Sequence, residues 1–286
     1  MFIIIGFVVV VASVIIGFTM PGGNLLVLLQ ISEFITIGGA AIGSMLISAP
    51  VSVIKKVIAA IPKAISHKHE TKKDFLELLK SFYELFLVSQ RDGLLAIEKH
   101  IENPEESEVL SVNKKLLKNK VAMTYFTDTL KVMLSGGVPP HEIESLMETE
   151  IETFEMESKP VPHLISKVGD ALPGLGIVAA VLGIIITMGS ISDGAEAVGH
   201  HVAAALVGTF LGVLLSYGFV GPLAANIEHM IENEVRYLET IKAAVVAYAK
   251  GNPPIVAVEI ARRTIFSDER PTFSELENYL RGKKED

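Results

Sequence analysis

Residues 168–188 read VGDALPGLGIVAAVLGIIITM, a run whose single charge is Asp170. At about 1.5 Å per helical residue, such a run is long enough to cross a ~30 Å hydrocarbon layer. Lys167 stands at its edge, and the next basic residue is Arg236. The start of the chain has a matching gap. All 25 Lys and Arg lie between Lys55 and Lys167 or from Arg236 onward, so residues 1–54 and 168–235 have none. Basic residues flank membrane spans on the cytoplasmic side, and these two gaps are also the apolar parts of the chain. The partition predicts four spans in two hairpins: residues 2–20, 34–54, 168–188 and 201–226.

With the Lys-rich segment after Ile54 held inside, an even number of spans places both termini in the cytoplasm. Residues 21–33 and 189–200 are then the outer connections; they carry Glu33, Asp193 and Glu196 and no Lys or Arg. Phe2–Met20 lacks the basic leading segment of a secretory signal, and Met20-Pro21-Gly22-Gly23 is not a small-x-small cleavage site, so the stretch reads as a retained span. The expected fold is an all-α integral membrane protein. Four transmembrane helices carry a large cytoplasmic helical domain between the second and third, and a cytoplasmic helical tail. The segments are a hairpin over 1–54, a helical domain over 55–167, a hairpin over 168–226 and a C-terminal segment over 227–286.

Cysteine is absent, which removes disulfides, thiolate metal sites and Cys nucleophiles. The net charge of −8 falls mostly in the cytoplasmic part and argues against nucleic acid as a partner. No Gly-rich phosphate loop ends in Lys-Ser/Thr, and no Ser/His/Asp constellation has a catalytic context, so the chain does not read as an enzyme. His200-His201 and the pair His67 and His69 are too sparse for a metal site, and no cofactor is expected.

In the cytoplasmic domain, Phe75, Leu76, Leu79, Phe82, Tyr83 and Phe86 recur at helix-face spacing. Asp92-Gly93 interrupts that helix before it continues through Ile97 and Ile101 to Asn103-Pro104. A second helix covers Leu116–Leu134. The acidic segment after Pro139-Pro140 reads as a solvated helix face. Beyond the fourth span, helices are expected over Ile227–Ala249 and Val256–Phe266. Thr272 with Glu275 has capping-box spacing and should open a last short helix.

Small residues recur in the spans, as Gly39-xxx-Gly43, Gly174, Gly176 and Gly183, and Gly208-xxx-Gly212. They let helix backbones approach closely in lipid, within one chain or between subunits, and their abundance favours an oligomer. Moving charge through a membrane needs an ionisable group partway across. Asp170 lies about one turn inside the cytoplasmic edge and Glu33 at the outer edge, so none is expected at mid-membrane. An ion path would then take its titrating carboxylate from another subunit, and these helices would form its wall. Ala180 and Thr209 fall at similar depth and are candidates for lining it, with Asp170 nearer the inner end. Pro173 and Pro222 deprive the Gly169 and Gly218 carbonyls of helical donors, which makes each a kink or a hinge.

Three blocks carry a resemblance: Val168-Gly-Asp-Ala-Leu-Pro-Gly-Leu-Gly176 through Gly183, Val207-Gly-Thr-Phe-Leu-Gly212 through Pro222, and Asn252-Pro-Pro-Ile-Val-Ala-Val-Glu259 followed by Glu269-Arg-Pro-Thr-Phe-Ser-Glu-Leu-Glu277. In order and over nearly the whole chain, they resemble the MotA family of flagellar stator subunits. That resemblance implies a multi-pass protein of the cell inner membrane, five copies of which surround two copies of MotB. The single membrane helix of MotB carries the ion-binding Asp. It also implies that proton flow turns the ring and that the cytoplasmic domain pushes the rotor protein FliG. Glu98 matches a family Glu that meets FliG. Arg91 stands one position, about 100° of helix, from the family's Arg, and Glu150 is grouped with them as a rotor contact. The proline pair maps to Pro173 and Pro222. Sodium-driven relatives have Thr where Ala180 stands, so the resemblance implies protons. Among the alternatives, the related ExbB and TolQ subunits usually have three spans, and a secondary transporter needs an inverted repeat that is absent here.

Overall fold

The computed structural model describes residues 2–66, 70–189 and 191–282, and of Asp193 and His200 the backbone alone. Among the described residues all regular structure is helical, and four helical stretches are long and apolar enough to cross a membrane: Phe2–Thr19, Leu25–Ser48, Pro140–Gly189 and Ala195–Ala249. The chain divides into two compact units, one of residues 1–67 with 158–230 and the other of 68–157 with 231–286.

In the first unit, helix α1 (Phe2–Thr19) buries none of its side chains. Helix α2 (Ile31–Ser48) ends where Ala49 turns extended, at φ −146° and ψ 150°. The reason is Pro50, whose ring disfavours helical backbone at the preceding residue. The apolar run expected to continue to Ile54 is therefore broken, and Val51 begins helix α3 (Val51–Ser66), which buries Ile54, Val57 and Ala64 and turns Lys55 and Lys56 outward. The turn before α2 differs from the expected outer connection. Asn24 caps a 3₁₀ turn over Leu25–Leu28 by accepting from the Leu26 N–H at 3.0 Å. Val27 and Leu28 pack into the unit's core, beside Ile37 and Ala41 of α2.

The second unit is built on an aromatic core. Helix α4 (Lys72–Asp92) starts at a capping box in which Thr71 and Asp74 satisfy each other's backbone N–H. It ends at Gly93, whose φ of +87° suits a residue without a Cβ. Short helices α5 (Glu98–Glu102) and α6 (Lys114–Lys118) follow, then α7 (Lys120–Leu134). The single helix expected over Leu116–Leu134 is thus two, because Asn119 breaks it and caps α7 by accepting from the Ala122 N–H. Phe82 meets Phe126 at 4.9 Å between ring centroids, and Phe86 stacks on Tyr248 at 4.2 Å.

Helix α8 (Pro140–Ser158) holds the acidic segment. Ile143, Met147 and Ile151 form its buried seam; Glu142, Glu150, Glu152 and Glu157 are exposed, as expected of a solvated face, and two further acids reach distant lysines. Glu148 pairs with Lys242 of a later helix, and Glu144 with Lys250, just past the end of that helix, at 2.7 Å. Their basic partners lie 94 and 106 residues onward, beyond the reach of a local pattern.

Three long helices follow: α9 (Pro160–Gly189), α10 (Ala195–Leu215) and α11 (Gly221–Ala249), the last two joined by a π-helical turn over Ser216–Val220. Helix α12 (Pro254–Arg262) begins on Pro254, two residues before the expected start. Helix α13 (Phe273–Leu280) opens at the expected capping box, with Thr272 accepting from the Glu275 N–H at 3.2 Å.

Candidate functional site

The centre of the membrane unit is the α9–α10 pair, held together by backbone instead of side chains. A Cβ added at Gly176 would stand 2.7 Å from the Gly208 carbonyl and 3.1 Å from Gly212 Cα. One added at Gly212 would stand 2.5 Å from the Leu172 carbonyl, and one at Gly183 would stand 2.8 Å from Ala205 Cβ. Four of the expected small residues are therefore the packing faces of one hairpin. Gly39, Gly43 and Gly174 have nothing within 4 Å of such a Cβ. Leu172, Ala179, Val207 and Leu211 fill the rest of the contact.

Ala180 and Thr209 occupy this pair at one level. The Ala180 backbone nitrogen lies 3.3 Å from a Cβ placed on Gly208, the neighbour of Thr209. Both residues are half-buried. Asp170 is exposed, and the ten residues that separate it from Ala180 on α9 put it about 15 Å away along the axis. It is not brought to their level.

Glu33 is. Its residue is 7% exposed and its Oε2 has no hydrogen-bond partner. A Cβ on Gly208 would collide with that oxygen, while Ala179 Cβ lies 3.2 Å from the same position. The structure takes Glu33 out of the expected outer connection: it lies in the first turn of α2, with its carboxyl turned in against Gly208 of α10. The cause is the apolar 3₁₀ turn at Leu25–Leu28, which draws the start of α2 in against α10. A count of residues from a presumed membrane edge missed it. The usable signal was a lone acid entering an apolar helix just after a turn rich in leucine.

The two prolines meet the same kind of contact. The Gly169 carbonyl is the one that Pro173 leaves without its helical donor. A Cβ on Gly169 would stand 3.2 Å from Val220 Cγ1 and 3.6 Å from the Gly221 nitrogen, at the π turn that precedes Pro222. In that turn the Gly221 N–H reaches back to the Ser216 carbonyl, one residue further than in an α-helix. Phe219 of this turn meets Phe7 of α1 at 5.0 Å. Pro173 itself lies within a continuous α9. Pro222 by itself implies a kink or a hinge but no π turn, because a register shift leaves no mark in residue type.

The residues expected to touch a rotor all lie in the second unit. Arg91 is committed to its neighbour: Nη2 donates to Asp92 Oδ2 at 2.7 Å and Nε to Oδ1 at 3.0 Å, with the side chain 77% exposed. Arg91 in turn holds the Asp92 carboxyl below the usual range. Glu98 opens α5, seven residues on, past the Gly93 turn, and is exposed. Glu150 lies on a different element, α8; desolvation and then Asp128 push its carboxyl up. His67 and His69 lie outside the described residues, as do the side chains of Asp193 and His200. Among the described residues no three His, Cys, Asp or Glu cluster as metal ligands.

Compared with known proteins, the chain is 38% identical to Motility protein A of Salmonella typhimurium over 282 residues, covering 99% of this chain and 96% of that one. The chain belongs to the motility protein A family. Motility protein A of Escherichia coli shows the same 38% identity over 284 residues. Residues 4–93 match the motility protein A N-terminal family and residues 113–240 the MotA/TolQ/ExbB proton channel family. The fold is that of the MotAB structures. The C. jejuni complex aligns with a TM-score of 0.79 over 94% of this chain and 98% of that one at 21% identity, and the Bacillus subtilis complex with 0.72 over 90% and 92% at 24%. As a member of this family, the chain is a multi-pass membrane protein and not an enzyme.

Proposed function

We propose that this chain is the stator subunit of a flagellar motor, which assembles with MotB into a proton-conducting complex and turns proton flow into torque on FliG. The observation that carries the reading is the full-length likeness to motility protein A, and with it the α9–α10 pair that brings Ala180 and Thr209 to one level. In this reading both termini, residues 55–167 and residues 227–286 face the cytoplasm of an inner membrane, and five copies of the chain ring a MotB dimer. Ala180 and Thr209 line the path beside the MotB carboxylate, with Asp170 toward the inner mouth. Ala180 offers no oxygen to a hard cation, which supports protons over sodium.

The contact of Gly169 with Val220 beside the π turn supports coupling through the prolines. A change at the α9–α10 face would move the two proline turns together and pass into α11, which continues to Ala249. Arg91, Glu98 and Glu150 then present charge to FliG, Arg91 only after it trades Asp92 for a rotor carboxylate.

The test is expression of this chain with its partner subunit in a non-motile strain lacking its own stator. Swimming should return, stop on addition of a protonophore and persist without sodium. Correct membrane insertion without motility would overturn the stator reading, and sodium-dependent, protonophore-resistant swimming would overturn the choice of ion.

A further inference from the structure

We propose that Glu33 is a proton-exchanging group of this chain's own, taking up protons at the level of Ala180, Gly208 and Thr209 and handing them to the acceptor in the path. The inference rests on the stator reading above. It begins with an acid where an apolar side chain would pack better: Glu33 is 7% exposed, between α2, α9 and α10, next to the core formed by Ile37, Ala41, Ala179 and Val207. A carboxyl in such surroundings is costly unless paired or put to use, and Oε2 has no hydrogen-bond partner.

The space for that oxygen is built into the sequence. Gly208 lacks the one atom that would strike it, and Ala179 and the Ala180 backbone form the other sides. Ala180 lies nine residues, about 14 Å, inside the outer end of α9, so the carboxyl stands well within the span and not at a surface. Along α10 the nearest titratable group is His201, seven residues from Gly208; along α9 it is Asp170, ten residues from Ala180; the Leu25–Leu28 turn has none. A helix N-terminus does favour an acid in its first turn, but that role is met as well by a carboxylate turned to the outside and does not require burial against Gly208.

The step balances simply. A hydronium from the outer side gives its proton to the Glu33 carboxylate and leaves as water. The carboxylic acid then passes the proton to the carboxylate of the path and is restored as an anion.

The experiment uses the full chain with its partner subunit in the stator-deleted strain, comparing Glu33→Gln, Glu33→Asp and Gly208→Ala with the unaltered chain. Motility of the unaltered chain tests the stator reading, and the variants relative to it test this one. Glu33→Gln keeps the shape and removes the proton site. Torque at saturating stator number should fall roughly a hundredfold, the low end of what a positioned proton-transfer group contributes, and Glu33→Asp should keep part of it. Gly208→Ala should resemble Glu33→Gln. Full torque in Glu33→Gln would overturn the proposal. If that variant does not accumulate in the membrane, infrared spectra of the purified unaltered complex and of Glu33→Asp decide. A carboxylic C=O band that shifts in D₂O and moves with the Asp substitution supports the role, and identical spectra overturn it.

Discussion

Replacing Gly212 by Ala should pry α9 from α10. The added Cβ would stand 2.5 Å from the Leu172 carbonyl and 2.9 Å from Gly176 Cα, against the 3.4 Å at which ordinary contact begins. The atoms in the way are backbone and have no rotamer by which to yield, so the helices must part by about 0.9 Å. Forcing a methyl into a packed interface costs about 1–3 kcal/mol. Exchanging Gly for Ala inside a helix returns up to about 1 kcal/mol. The net loss is about 1–2 kcal/mol, roughly a tenfold change in the ratio of folded to unfolded protein. Gly174→Ala is the matched control on the same α9, since nothing lies within 4 Å of its Cβ and only the helix preference remains. The assay is unfolding of the purified chain in mixed micelles by increasing SDS, followed by loss of helical signal. Gly212→Ala should unfold at lower SDS than the unaltered chain, and Gly174→Ala at equal or higher. Coincident curves for the two variants would refute the reasoning, because burial of a backbone face would then count for nothing.

Two further outcomes are expected. Pro173→Ala and Pro222→Ala should leave the protein in the membrane at normal amount but stop swimming, since each restores a helical donor where the two turns meet; normal swimming speed would remove the prolines from the coupling. The second unit should lose stability in acid. Arg262 and Arg263 hold the Glu259 carboxyl below its ordinary range, and Thr272 and Lys72 do the same for Glu275. For these two the folded state binds fewer protons, so their contribution is full above the ordinary carboxylate range near pH 4 and is lost as pH falls below that range through their lowered folded values. His100, buried beside Ser107 at 2.8 Å, is held low by burial and then Lys99, and adds a loss in the same direction below about pH 6.5. Thermal melting read by near-ultraviolet dichroism of tyrosine, five of whose six residues lie in this unit, should shift down between neutral pH and about pH 3, and an unchanged midpoint would contradict these assignments.

The membrane plan was legible because it is a matter of composition. Lys55 and Lys167 bracket the long polar segment between the two apolar pairs, and no base interrupts Phe2–Met20 or Val168–Met188, so solvation alone dictates which segments enter lipid. Helix ends with a local chemical cause were legible too, as at Asp92-Gly93 and at Thr272 with Glu275. Breaks set by one residue's backbone preference, at Pro50 and Asn119, were within reach but were outweighed by the apolar pattern running past them.

What the sequence by itself determined is the number of apolar spans, the segments in which charge collects and the family. It also marked Gly176, Gly208 and Gly212 as places where backbones meet. Only the tertiary structure decided which backbones: α9 against α10 for those three, and open space beside Gly39 and Gly43. It alone paired Glu148 and Glu144 of α8 with Lys242 and Lys250, replaced an α turn by a π turn before Pro222, and brought Glu33 to the level of Ala180 and Gly208. The physical reason is common to all of these. Partition into lipid depends on each residue's own solvation and can be read along the chain, whereas contacts between distant segments depend on how turns and small residues let helices close on one another.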